Sequence, residues 1–195
     1  MGLSDRDILP GGMLGHMVHI DTDESKLLLG ARALDVRALS RIHDRYYAEL
    51  YRYAYYRTGV DKVAEDIASE VFLRLLDGLH SGRSPQTTLR GWLFGVASHL
   101  VADHFRSEAS LALPQIMDDH DSPQAEAEKN IRHHEVRHAI RTLTEEQQEV
   151  LALRFGEGFS VEETARVMKK SVPAVKSLQF RAVEALRSLL GEVEL

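Results

Sequence analysis

Apolar residues recur at three- and four-residue intervals along most of this chain, and the strict alternation of a half-buried strand is hard to find. That period stacks side chains on one face of an α-helix, so it restricts the chain to helical folds whose stripes pack together. Leu39, Ile42, Tyr46, Leu50, Tyr53 and Arg57 form a first stripe that closes near Gly59. Val60, Val63, Ile67, Val71, Leu75 and Leu79 form a second, with Asp61, Glu65, Asp66, Glu70 and Arg74 on its other faces. A third joins Leu89, Trp92, Leu93, Val96, Ala97, Leu100, Val101, His104 and Phe105. Between the last two, Leu79 to Thr88 contains Gly82, Ser84 and Pro85 and reads as a loop.

Charge divides the chain further. The net of −6 over 195 residues hides an uneven distribution. Residues 37–107 carry ten bases and eight acids, whereas residues 108–130 carry six acids and Lys129 alone. The latter stretch holds Pro114 and Pro123 and lacks aromatics, the composition of a tether without a core. The expected fold is therefore all-α: two small helical domains joined by a flexible acidic linker. Residues 1–25 are expected as a flexible tail, 26–107 as the first domain, 108–130 as the linker and 131–195 as the second domain.

The second domain carries its own helix signals. Thr144 with Gln147 and Ser160 with Glu163 have capping-box spacing, Gly156 and Gly158 stop the first of these helices, and Ser171 with Pro173 opens a last one. Ser160 to Leu189 then reads as a helix-turn-helix. Ala165 is the small residue where the two helices meet, and Val172, Val175 and Leu178 anchor the second. Lys169 stands at the turn position where glycine is usual, because a left-handed backbone is wanted there. From Arg166 to Arg187 there are six bases and one acid, Glu184, a phosphate-sized basic patch on an acidic protein. Lys176, Ser177 and Arg181 fall outside the anchoring stripe and can face a major groove, while Arg166, Lys169 and Lys170 can reach phosphates.

The residues from Leu143 to Ala165 and from Ser171 to Val183 resemble the promoter-reading end of extracytoplasmic-function sigma factors of the sigma-70 family. Ala64 to Leu76 is similar to the family's polymerase-binding helix, and Arg90 to Arg106 to its helix for the minus-ten element. The resemblance spans about residues 25–190. It implies a winged-helix-like sigma domain at the C-terminus and an alternative sigma factor that binds core RNA polymerase and directs promoter-specific initiation. Lys170, Ser171, Pro173, Ala174, Lys176, Ser177 and Arg181 would read the minus-thirty-five element. His80, Ser81, Arg83, Ser84, Arg90, His99 and Arg106 would track the melted minus-ten strand, and Asp66, Glu70 and Leu73 would dock on core polymerase. The acidic linker, with Asp118, Asp119 and Asp121, would thread near the polymerase active centre. Promoter DNA, core polymerase and an anti-sigma factor are the implied partners; no cofactor, no metal and no catalytic residue are expected. Trp92, on the third stripe, reads as core.

Two other readings compete. A stand-alone helix-turn-helix regulator would dimerise and bind an operator without polymerase. His134-Glu-Val-Arg-His138 matches the zinc-protease pattern literally, with Glu157, Glu162 or Glu163 as third ligand and His133 as a neighbour. No sheet that could form a cleft is predicted, and Val136 and Ile140 belong to an apolar stripe. The absence of cysteine excludes disulfides and thiolate chemistry. With no apolar run near the roughly 20 residues of a membrane span, a cytoplasmic protein without membrane insertion is expected.

Overall fold

The computed structural model describes residues 22–83, 85, 88–111, 136 and 138–191. Four helices form the N-terminal unit: α1 (Thr22–Arg32), α2 (Val36–Thr58), α3 (Asp61–His80) and α4 (Leu89–Leu111). A helical stretch at 138–141 leads into α5 (Glu145–Leu151), which continues as a π-turn over Ala152–Gly156 and is followed by α6 (Val161–Val167) and α7 (Val172–Leu189). There is no strand among the described residues, so the helix-turn-helix there carries no strand wing.

The predicted stripes are the buried faces. Ile42, Tyr46, Leu50 and Tyr53 of α2 meet Ile67, Val71 and Leu75 of α3 and Leu89, Leu93, Ala97 and Val101 of α4 in one core. Asp35 caps α2 by accepting from the Arg37 N–H, and Gly59 ends it with φ 72°, the left-handed cap that only glycine adopts without strain. Trp92 packs partly buried against this core.

Two boundaries and the relation of the two halves differ from expectation. The segment to Ser25, read as a tail, enters helix at Thr22. Among the α1 residues with described burial, only Leu27 and Ala31 are buried, a face too narrow to register as a stripe, and Gly30 lets it close on α2: a Cβ there would sit 2.6 Å from that of Ala38. α4 runs on to Leu111, into the segment read as linker. Asp118, Asp119, Asp121 and residues 1–21 lie outside the described residues, as do Ser84, His133 and His134.

The third difference concerns the two halves, which pack together. Leu153, Phe159 and Val167 are buried in the N-terminal core, and Phe159 sits edge-on to Phe94 with ring centroids 4.9 Å apart. Phe94 is fully buried although it lies off the predicted stripe of α4, because the C-terminal half covers that face.

The C-terminal caps are as the spacing predicts. Thr144 with Gln147 and Ser160 with Glu163 form complete capping boxes, and Ser171 accepts from the Ala174 N–H with proline in the first turn of α7. Burial disfavours the Glu163 charge, but hydrogen bonds from Ser160 outweigh it and hold the carboxyl below its ordinary range. Ala165, Val175 and Leu178 join α6 to α7 in a second core with Leu143, Val150, Leu151 and Ala182. The turn between them needs a left-handed residue, and Lys169 supplies it at φ 52°. A side chain in that conformation costs about 1–2 kcal/mol. Lys169→Gly is expected to raise the unfolding free energy by about 1 kcal/mol in urea melts, and Lys169→Val to lower it.

Candidate nucleic-acid interface

α7 presents two faces. Val175, Leu178 and Ala182 point into the second core, and Pro173, Ala174, Lys176, Ser177 and Arg181 are exposed on the opposite side. Neither Lys176 nor Arg181 forms an ion pair among the described residues, so both are unneutralised at the surface. Lys170 differs: its Nζ lies 2.7 Å from a Glu146 carboxylate oxygen, tied back to the first turn of α5. Ser171 is occupied as the cap of α7. One residue on this face escaped sequence reasoning. Phe180 is 67% exposed, one turn beyond Lys176 and beside Arg181. Its signal was an aromatic side chain out of phase with the Val175–Leu178–Ala182 stripe.

On α3, Asp66, Glu70 and Leu73 share one outward face at helical spacing, opposite Ile67, Val71 and Leu75. Lys62 pairs with Asp66 at 3.0 Å and Arg74 with Glu70 at 3.0 Å, both exposed and therefore weak. Leu73 is 56% exposed, an apolar side chain between charged neighbours.

The residues assigned to the melted strand do not form one track here. Ser81 donates to the Asp77 carbonyl and accepts from Arg83 Nε at 3.1 Å, and His80 Nδ1 lies 2.9 Å from the Leu76 carbonyl, so these cluster at the end of α3. His99 and Arg106 lie along α4, each beside Asp103. Arg90 is drawn elsewhere. Its guanidinium donates to the Glu157 carbonyl at 2.6 Å, pairs with Glu49 at 3.2 Å and lies 4.1 Å over the Phe159 ring. In this arrangement it joins the two halves and is not open to a backbone phosphate.

Arg90 belongs to a polar seam that sequence reasoning did not find. Arg52 grips the Glu157 carboxylate with two hydrogen bonds, of 3.0 and 2.6 Å. The Glu157 side chain is 1% exposed while that of Arg52 is 43% exposed. The hydrogen bond to Glu157 is the main reason the Arg52 guanidinium is pushed above its ordinary range. Ser98 donates to Glu149 further along the same seam. Removing the cation would strand a carboxylate in an apolar setting.

The histidine motif is largely outside the described residues, which include Val136 and His138 alone. Of its candidate third ligands, Glu157 is held by Arg52 and Glu163 by Ser160. No group of three metal-ligating side chains occurs among the described residues. Nor is any described helix long and apolar enough to cross a membrane.

Arg52→Ala is expected to weaken closure of the two halves by about 2–3 kcal/mol, less than for a fully buried pair because the guanidinium is half solvated. The readout is an increase in the radius of gyration by small-angle X-ray scattering, with helix content unchanged by circular dichroism.

Comparison with known proteins gives these faces a context. Residues 42–110 match the family model for sigma-70 region 2, and residues 139–188 that for sigma-70 region 4. The chain is 37% identical over 181 residues to the ECF RNA polymerase sigma factor BldN of Streptomyces coelicolor, covering 88% of this chain and 69% of that protein. It is 30% identical over 158 residues to SigX of Bacillus subtilis, covering 75% and 80%. In fold it is similar to CnrH, solved with the cytosolic domain of CnrY, at a TM-score of 0.67 and 24% identity over 86% of this chain and 97% of that one. It is also similar to RpoE, solved with the anti-sigma factor NepR from Bartonella quintana, at a TM-score of 0.66 and 19% identity over 82% and 100%. With exposed faces on α3 and α7 lying inside the two matched regions, the chain belongs to the extracytoplasmic-function RNA polymerase sigma factors of the sigma-70 family.

Proposed function

We propose that this sigma factor acts by position alone, with α3 docking on core RNA polymerase and α7 lying in the major groove of the minus-thirty-five element. The observation that carries this is the clean separation of faces on α7. Lys176, Ser177, Phe180 and Arg181 are exposed without acidic partners, while the opposite side is fully committed to packing. Lys176 and Arg181 supply charge and hydrogen-bond donors to base edges and phosphates, and Phe180 offers an apolar surface of the kind that meets a thymine methyl. Asp66, Glu70 and Leu73 form a compact acidic-apolar patch suited to a basic protein surface. No side chain is assigned a chemical step, and the protein works in the cytoplasm, where polymerase and promoter are.

Melted-strand capture falls to His80, Ser81, Arg83, His99 and Arg106, with Arg90 joining once the seam opens. That opening is required by distance. Elements about 25 base pairs apart are separated by roughly 85 Å of duplex at 3.4 Å per pair. A compact fold of this size has a radius of gyration of about 16 Å. The closed arrangement therefore holds one element at a time, and engagement with polymerase has to separate the halves. An anti-sigma factor, such as the partner solved with a similarly folded relative, would act by favouring closure.

The deciding experiment is run-off transcription with purified core polymerase and genomic fragments, read by sequencing. Specific start sites are expected; none, together with no binding to core, would refute the proposal. Operator binding without polymerase would instead favour the stand-alone regulator. Lys176→Ala and Arg181→Ala should each weaken upstream-element recognition by about 1–3 kcal/mol in holoenzyme competition assays. Asp66→Arg should abolish binding to core while leaving the fold intact, since Asp66 is exposed and its ion pair weak.

A further inference from the structure

Of the six bases between Arg166 and Arg187, two form an ion pair among the described residues. Arg187 pairs with Glu184 of its own helix, one turn away. Lys170 reaches across 24 residues to Glu146, in the first turn of α5, at 2.7 Å. The place of this pair matters more than its strength. Lys170 closes the turn, directly before the Ser171 cap of α7, and its N–H donates to the Ala165 carbonyl at 2.9 Å. Its backbone is thus fixed at the end of α7 that a helix-turn-helix brings nearest to the bases and their flanking phosphates. Glu146 sets a negative charge where such a phosphate would arrive.

An acid in the first turn of a helix also has a local purpose, since the free N–H groups there favour negative charge. Glu145 serves that purpose in the same turn, exposed and without an ion pair among the described residues. Glu146 differs by turning to Lys170. Their side chains are 58% and 29% exposed, so solvent and incoming ions reach the contact.

We propose that Glu146 is a specificity-determining residue for duplex DNA, a competitor of phosphate for Lys170 that is carried on the protein itself. The inference rests on the proposed seating of α7 in the major groove. An exposed pair of this kind is weak, so a phosphate held in place displaces the carboxylate at little cost. On a cognate site, base contacts from Lys176 and Arg181 fix the register and bring one phosphate to Lys170. On other sequences nothing fixes the register. Lys170 then stays with Glu146, and the carboxylate repels the passing backbone. The penalty falls mainly on non-specific duplex, whose binding is electrostatic almost throughout.

The first measurement is fluorescence anisotropy of the full chain with a short duplex of random sequence, titrated across salt. Glu146→Gln should bind this duplex about threefold more tightly than the native chain, with a log–log salt slope steeper by about 1. Lys170→Gln added to Glu146→Gln should cancel both gains. Glu145→Gln makes the same change in net charge and should leave both near the native values. The second measurement sets a promoter fragment recovered by run-off against the random duplex in competition for holoenzyme. There Glu146→Gln should lower the preference for the promoter about threefold. An unchanged slope, no binding of random duplex by either protein, or an equal effect of Glu145→Gln would overturn the proposal. So would an equal gain on promoter and random duplex. The two readings fail separately: a steeper slope without any start site leaves the exchange at Lys170 standing and removes the sigma reading, and an unchanged slope beside specific initiation does the reverse.

Discussion

A carboxylate taken out of water needs a cation within reach, and Glu157 finds its cation 105 residues away in α2. That pairing fixes where the chain passes after the π-turn, and with it where Phe159 goes. Phe159 fills a space against Phe94 and under the Arg90 guanidinium, so the N-terminal core is completed by a side chain from the C-terminal half. Burying a side chain of that size contributes about 2–3 kcal/mol, and it is available only if Glu157 is neutralised beside it. The ion pair and the aromatic contact therefore support each other, and the helix-turn-helix inherits its orientation from both.

Packing of the two halves leaves both candidate faces in the open. The α3 face with Asp66, Glu70 and Leu73 and the α7 face with Lys176, Ser177 and Arg181 are solvent-exposed in the closed form. What closure withholds is span, together with Arg90. On the proposed reading, a ligand shifts the balance between closed and separated halves only as far as it binds the two forms unequally.

Local chemistry was legible in the sequence, and long-range chemistry was not. The capping boxes at Thr144 and Ser160 satisfy backbone donors a few residues away, so their spacing alone identifies them. The stripes of α2 and α3 were readable because each faces a single core, and even Arg57 fell on its stripe and is buried. Phe94 was missed because a second surface buries it, one contributed from beyond the linker. Arg52 drew no reading and Glu157 only one as a candidate zinc ligand, since nothing near either residue in the sequence indicates the other. The candidate faces on α3 and α7 followed from periodicity plus resemblance. Phe180 was passed over although periodicity places it outward, because apolar residues are read first as core.

The π-turn has a consequence of its own. Across Ala152–Gly156 the Glu157 N–H reaches back five residues to the Ala152 carbonyl, at 2.9 Å, so this stretch holds one residue more than an α-helix would. One residue is about 100° of helical rotation. Everything C-terminal to it, from the Glu157 carboxylate to the outward face of α7, is set at an azimuth that an uninterrupted helix would miss by that angle. A relative lacking the surplus residue could keep every side chain on that outward face and still present it in another direction relative to the first domain.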